Sequence, residues 1–437
     1  PNGRNDCPSD GIIGKVYRSK PVSQIEAGER IDMRKVLFID YFFPPLAADW
    51  RGTAFAKLLP EFGWQPIVVS ADESVSYGKD YYLLKEIPEN LEVHRVPHRE
   101  PSPLWQRIRH KLKISADFPD YYRTWYSPAC REARKILSRQ KVHLIYSASP
   151  TFTTAFVAMK LKKEFNIPWV ADFLDGWAVN DFLKEQYDRT LMGPLRRFHM
   201  LRIKKAERRI LESADKVVVI HWHVKQRWYE LHGIDETKVR VIADGYDESV
   251  FRGLKVRFLY PDRLTIVFLG SFYPAFREII IRFAGVVNEL DRDAELVFIG
   301  RGAVAVQDMN LPNSTCILQL SRKRAIEFAL GCNFLLLVMP PFAKWTPSKI
   351  YDYLRIGRPI LAIVPHDGDA ARILQESNGG FVLPFDEQQM KKELGTIFER
   401  RKRGELEGFQ PDQEYITKFE RRKLTEQMAE VFDEISP

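Results

Sequence analysis

The segment Thr346-Pro347-Ser348-Lys349-Ile350-Tyr351-Asp352 puts a hydroxyl, a cation and a carboxylate at the opening of a helix. Thr346 reads as the N-cap and Pro347 as the first helical residue. Gly357 would end the helix, and Arg358-Pro359 leads into a strand. Lys349 and Asp352 lie three residues apart, so they share a helix face. The free N–H groups and positive dipole of such a helix start suit a phosphate. Ser348 and Lys349 would join them, and Asp352 can accept from sugar hydroxyls. A capped helix with one surface ion pair would show the same spacing.

Three further segments hold residues placed for chemistry. Gly270-Ser271-Phe272-Tyr273 follows a strand-like run, with Arg277 just beyond. Glycine there lets a ligand approach the backbone, and Arg277 can form paired bonds to a diphosphate. An ordinary turn between strand and helix is the simpler account. Ala171-Asp172-Phe173-Leu174-Asp175-Gly176-Trp177 places two acids and an aromatic after another strand. Asp175 can orient or deprotonate an acceptor hydroxyl, Trp177 can stack on a sugar, and Asp172 can bind substrate or cap backbone. Tyr41-Phe42-Phe43-Pro44-Pro45, then Asp49-Trp50-Arg51-Gly52-Thr53, joins the first strand to the first helix; Arg51 could meet an anionic acceptor there. His221-Trp222-His223 has the look of a metal pair, but no third or fourth ligand is identifiable, so we assign no metal. Neither G-x-G-x-x-G nor G-x-x-x-x-G-K-[ST] occurs, so dinucleotide and P-loop chemistry lack their fingerprints.

These residues need strands and helices to hold them. Strand-length apolar runs recur at Val36–Asp40, Pro66–Ser70, Leu91–Val96, His143–Ser147, Trp169–Phe173 and Lys216–Ile220. A second series follows at Leu264–Gly270, Leu296–Gly300, Cys316–Leu320, Phe334–Met339 and Pro359–Val364. Helical stretches such as Thr151–Phe165 lie between them, which predicts parallel strands with crossover helices. Residues 243–262 are rich in turn formers and read as a linker. The expected fold class is α/β, with two Rossmann-like doubly wound domains facing across a cleft. We expect residues 1–32 to be a disordered or non-native extension, with Met33 opening the fold. Domains then span 33–245 and 260–400, with helices over 401–437 that pack back toward the first domain.

Composition narrows the class. The chain has 437 residues, 45% hydrophobic and 28% charged, which suits two or three globular domains at about 150 residues each. No apolar run approaches the ~20 residues that span a bilayer. Cys7, Cys130, Cys316 and Cys332 form no C-x-x-C pair, so a reducing compartment is expected. The net charge of +8 suits phosphates or an anionic membrane surface; no nucleic-acid motif appears. Trp105–Lys113 and Pro194–Arg209 mix cations with apolar residues, as a helix on an anionic bilayer would, or as a solvated helix packed on its own domain would.

Taken in order, the segments resemble a GT-B glycosyltransferase of the family 4 type, from about Met33 to the last helices. The pieces are Tyr41–Pro45, Leu58–Trp64, Ile145–Pro150, Pro168–Phe173, Ala214–Val219, Lys238–Ile242 with Asp244–Asp247, Gly270–Tyr273 and Ser348–Pro359. The resemblance implies a nucleotide-diphosphate sugar as co-substrate, held mainly by the second domain, retention of configuration, and no cofactor or metal. In that family an E-x7-E motif accompanies the helix after the fourth strand of the second domain. Its second acid falls on Asp352 and its first on Lys344, a departure where the transferred sugar would sit. Arg277 and Lys349 take the diphosphate, Asp175 the acceptor. Gly270, Ser271, Tyr273, Ser348, Asp352, Asp172, Trp177 and Arg51 complete the expected site. The acceptor would be a glycan or lipid-linked glycan of surface polysaccharide synthesis, met in the cytoplasm or at the inner membrane face. A non-catalytic sugar- or nucleotide-binding relative is the alternative. An epimerase would need acids and histidines gathered at the cleft, and a phosphorylase would need a pyridoxal-binding lysine motif, which is not seen.

Overall fold

The computed structural model describes residues 33–46, 50–75, 78–98, 118–180, 193–300, 303–318 and 320–436. Residues 1–32, Asp49 and Trp105–Lys113 lie outside the described residues.

The first sheet holds seven parallel strands: β1 (Arg34–Ile39), β2 (Trp64–Ala71), β3 (Glu92–Val96), β4 (Leu144–Ala148), β5 (Trp169–Phe173), β6 (Lys216–Val219) and β7 (Val239–Val241). Their order is β3-β2-β1-β4-β5-β6-β7. Helices α1 (Trp50–Leu58), α2 (Tyr126–Arg139), α3 (Phe152–Phe165), α4 (Gly193–Ser213) and α5 (Trp222–His232) form the crossovers. Each central strand supplies two cores. Val36 and Phe38 of β1 face one apolar cluster, while Leu37 and Ile39 face another. A strand covered on both faces has no reason to alternate polar with apolar residues, which is why these strands read as plain apolar runs.

The second sheet holds β8 (Thr265–Leu269), β9 (Glu295–Ile299), β10 (Ser314–Ile317), β11 (Phe334–Val338), β12 (Ile360–Ile363) and β13 (Gly380–Leu383), in the order β10-β9-β8-β11-β12-β13. Its helices are α6 (Arg277–Leu290), α7 (Ala303–Gln307), α8 (Arg322–Leu330), α9 (Lys349–Ile356), α10 (Asp369–Glu376) and α11 (Glu387–Lys402). Strand order reverses between β1 and β4 in one sheet and between β8 and β11 in the other. Such switch points open a crevice beyond the strands' carboxyl ends.

Two helices follow, the short α12 (Gln413–Thr417) and the longer α13 (Arg421–Ile435). The latter packs against the first sheet's domain. Phe432 meets Trp64 edge-on at 5.3 Å, Trp64 Nε1 donates to Asp433 at 2.9 Å, and Lys216 pairs with Glu434 at 2.7 Å. The connection after β7 passes close beneath it. A Cβ on Gly245, at φ +76°, would lie 2.3 Å from the Phe419 carbonyl oxygen. Tyr246 and the start of α13 trade backbone bonds, with the Tyr246 amide donating to Phe419 and that of Arg421 to Tyr246, both at 2.9 Å.

The start of α9 differs from the sequence expectation. The helix opens at Lys349, with Ser348 in the N-cap position and no side-chain cap. Thr346 does not cap it: it lies two residues ahead of the N-cap, and its buried hydroxyl makes no hydrogen bond.

Candidate functional site

Asp172 and Arg51 are both buried, at 4% exposure each, and they bind each other. Arg51 donates to the two Asp172 oxygens at 2.8 and 3.3 Å and to the Ala243 carbonyl at 2.5 Å. The Tyr146 hydroxyl donates to Asp172 at 2.6 Å. The cluster clasps α1, β4, β5 and the connection after β7. Arg51 therefore does not face an acceptor, nor Asp172 a substrate: each spends its charge on the other. Trp177 is corrected too. It is 2% exposed and stacks on Phe152 at 4.2 Å, inside the core rather than against a sugar.

Asp175, two residues earlier, does face the open. Its side chain is 53% exposed. Crowding by surrounding protein raises its carboxyl to about 6, with His223 working the other way. His221 Nε2 lies 3.6 Å from Asp175 Oδ1. On its other side, His221 Nδ1 accepts the Thr346 amide at 3.3 Å. An imidazole that accepts on Nδ1 carries its proton on Nε2 when neutral, so the N–H is turned to Asp175. Burial, with help from His223, holds the ring neutral by lowering its pKa to about 3.

His223 opens α5 and reaches Asp369, the first residue of α10 in the second domain. Asp369 Oδ2 lies 3.0 Å from His223 Nδ1 and accepts the His223 amide at 3.1 Å. Burial alone would raise the Asp369 carboxyl, but the His223 bonds prevail and hold it below its usual range. Ligand atoms of His221, His223 and Asp369 all fall within 4.8 Å of one another. A cation there would need the Nε2 lone pair of His221, and the Thr346 bond leaves a proton on that atom. The arrangement fits a hydrogen-bonded cluster better than a metal centre.

A second buried acid fixes the Asp175 loop. Glu207 of α4 is fully buried. Its Oε1 accepts the amides of Trp177 and Ala178 at 2.5 and 3.1 Å and Trp228 Nε1 at 3.0 Å, while Oε2 meets His232 at 2.8 Å.

At the second sheet's switch point, the loop after β8 faces the start of α9. Gly270 has φ +106°, and a Cβ there would come within 3.6 Å of Lys349 Nζ. That amine lies over the Phe268 ring, 3.8 Å from its centre. It is shielded from solvent and has no hydrogen-bond partner. Desolvation lowers its pKa to about 7. Ser271 and Tyr273 are exposed on the same loop, Arg277 is exposed at the start of α6, and Ser348 is exposed beside Lys349.

Asp352 is not free for a hydroxyl. Both its oxygens accept from Arg322 of α8, at 2.9 and 3.0 Å. Burial raises its carboxyl and Arg322 opposes the rise. Lys344 pairs with the exposed Asp367. The fold thus joins Gly270 to Lys349 and Asp175 to His221, and His221 links the Asp175 loop to the entry of α9. Asp369, Glu207 and Arg322 were not singled out from sequence. Asp369 had a signal, since an acid after β12 opens a helix at a strand's carboxyl end. Glu207 had none, being one acid within a basic helix.

Residues 53–245 match the family described as "Glycosyl transferase 4-like domain". No curated protein matches the chain. Among solved structures, the chain is similar to Anabaena HepE in complex with UDP and glucose, at TM-score 0.60 and 14% identity over 92% of this chain and 100% of that one. A Rickettsia africae glycosyltransferase gives 0.59 and 16%, over 92% and 99%. The lipopolysaccharide outer core galactosyltransferase WaaB gives 0.55 and 11%, over 92% and 99%. The chain has the GT-B fold of these glycosyltransferases, and the stretch that matches the glycosyl transferase 4-like model lies in its first domain.

Proposed function

We propose that the chain transfers a sugar, with retention, from a nucleotide-diphosphate donor to a hydroxyl on a glycan or lipid-linked glycan of a surface polysaccharide. One observation carries the reading: a shielded, unpartnered amine, Lys349, beside a side-chain-free Gly270 at the second sheet's switch point. The occupant such a site wants is an anion that passes close to backbone. The neighbouring fold supports this, since HepE is described with UDP, with UDP and glucose, and with UDP-glucose.

The difficult step is departure of the diphosphate, on which negative charge gathers. Lys349, Arg277 and the amides opening α9 supply positive charge and dipole there. The reaction so read draws its stabilising charge from the chain itself, with no metal or cofactor. Asp175 accepts from the acceptor hydroxyl and orients it, while the neutral His221 presents its Nε2–H to the Asp175 carboxylate from 3.6 Å away. The reaction would take place in the cytoplasm, at the inner face of the membrane; no described helix is long and apolar enough to cross it.

A second reading is a sugar- or nucleotide-binding subunit without catalysis. Two observations favour it: Asp352 is bound by Arg322, and Lys344 stands where the resemblance implies an acid. A panel of uridine and guanosine diphosphate sugars decides between them. A bound donor raises the melting temperature by mass action. Transfer predicts a shift together with slow donor hydrolysis that Lys349→Ala abolishes. A shift without hydrolysis favours the binding subunit, and no shift with any donor sinks both. An epimerised donor would point to an isomerase, for which Asp175, His221, His223 and Asp369 are also suitably gathered.

A further inference from the structure

The surface formed by α4 and α5 is unlike the rest of the first domain. Between residues 196 and 213, seven exposed side chains are Arg or Lys and one, Glu212, is acidic. Glu212 is already paired with Arg208 at 2.7 Å. Among these cations stand Phe198 and Leu201, 59% and 65% exposed. Beside them a recess of about 610 Å³ runs between the two helices, floored by Ala178, Val179, Met200 and Leu231 and edged by Arg197, Lys204, Arg227 and one acid, Glu230. The far end of α4 borders a second depression edged by Lys160, Lys163 and Arg209, so the positive surface continues past the first.

Among the described residues the cations of this surface outnumber the acids, which calls for an anionic partner. A nucleic acid would use the flat rings of Phe198 and Tyr229, but it has no use for the exposed aliphatic Leu201 or for the apolar recess beside it. Exposed Phe and Leu among Arg and Lys, over an apolar recess, suit a surface that is charged at its plane and oily beneath it. We infer that α4 and α5 dock on an anionic lipid bilayer, with Phe198 and Leu201 inserted, Arg197 and Lys204 on lipid phosphates, and an acyl chain in the recess. The inference rests on the membrane-side acceptor proposed above. It gives that acceptor a geometry, because Ala178 and Val179 belong to the loop that carries Asp175.

Flotation of the full chain with vesicles tests it. The chain should float with phosphatidylcholine vesicles that contain phosphatidylglycerol, and not with phosphatidylcholine alone. Binding should weaken as salt rises past physiological strength, where the screening length is about 8 Å. Each cation near the surface is worth roughly a fivefold change in binding, so Arg197→Gln with Lys204→Gln should weaken it about 30-fold. Phe198→Ser with Leu201→Ser should weaken it at every salt concentration. Short-chain phosphatidylglycerol should compete, and inorganic phosphate at equal concentration should not. Equal flotation with both vesicle types, no flotation, competition by phosphate, or variants that float like the parent would each overturn the inference. Donor-induced thermal shifts of the same variants keep the two readings apart. Intact shifts with no flotation sink the docking surface alone, and flotation without any donor shift sinks the transferase alone.

Discussion

Lys349 should make the protein less stable and more able to bind. An amine charged in the unfolded chain must shed solvent in the fold, where its pKa falls from 10.5 to about 7. Between those two values the unfolded state holds more protons, so the contribution of Lys349 to stability rises with pH across that window. Lys349→Met should therefore raise the melting temperature at pH 7. The same change should weaken donor binding about 10- to 100-fold, the worth of a hydrogen bond to a charged group. Thermal unfolding and donor titration on one sample check both signs. Donor affinity should also fall as pH rises through about 7, because the neutral amine no longer attracts the diphosphate. Asp175 works from the acid side: turnover should drop as pH falls through about 6, where its carboxyl takes up a proton, and Asp175→Asn should abolish that limb of the profile. At this scale the sequence was partly legible. It showed acids, glycine and basic residues at strand ends, but not which of them turn outward. In Asp172–Trp177, Asp172 and Trp177 point into packed interior and Asp175 is exposed, a difference set by partners far along the chain, such as Arg51 and Phe152.

Elements hold these side chains in place through a few polar clasps. Arg51 joins α1 to β5 and to the connection after β7 through Asp172 and Ala243. Arg51→Met would leave the Asp172 carboxylate buried without its partner, at a cost of about 3–5 kcal/mol, measurable by urea unfolding. Glu207 clasps the Asp175 loop to α4 and α5. Glu207→Ala strands the Trp177 and Ala178 amides, each unsatisfied group costing about 1–3 kcal/mol. Glu207→Gln keeps an acceptor oxygen and should lose less stability, while donor hydrolysis falls in both as the loop loosens. The strand series was legible because strands covered on both faces are apolar throughout. β7 and β13 escaped the list of apolar runs. Each lies at a sheet edge; one has three residues and the other begins with Gly380 and is half-buried, so neither carries a sustained pattern.

Across the whole molecule, the two sheets are joined where the chemistry is proposed. His221 accepts from Thr346, His223 holds Asp369, and Arg355 of α9 makes two 2.6 Å bonds to Glu248 in the connection after β7. Asp369→Asn keeps the shape and removes the charge that His223 meets. It should lower stability at neutral pH, and the difference from the parent should shrink in acid as Asp369 itself becomes protonated, a comparison that unfolding at several pH values provides. Nothing in local spacing joins His223 to Asp369, which lie 146 residues apart, so this contact was not legible in the sequence.

The return of α13 to the first sheet has a consequence for how the protein is made and re-engineered. Trp64 and Tyr146 both lie against Phe432. On the ribosome, the earlier half emerges with that oily patch bare and must wait for residues 421–435 before it is sealed. A hybrid that exchanges nucleotide halves between relatives therefore needs two crossover points, one after β7 and one ahead of α13, so that each acceptor half keeps its own closing helix.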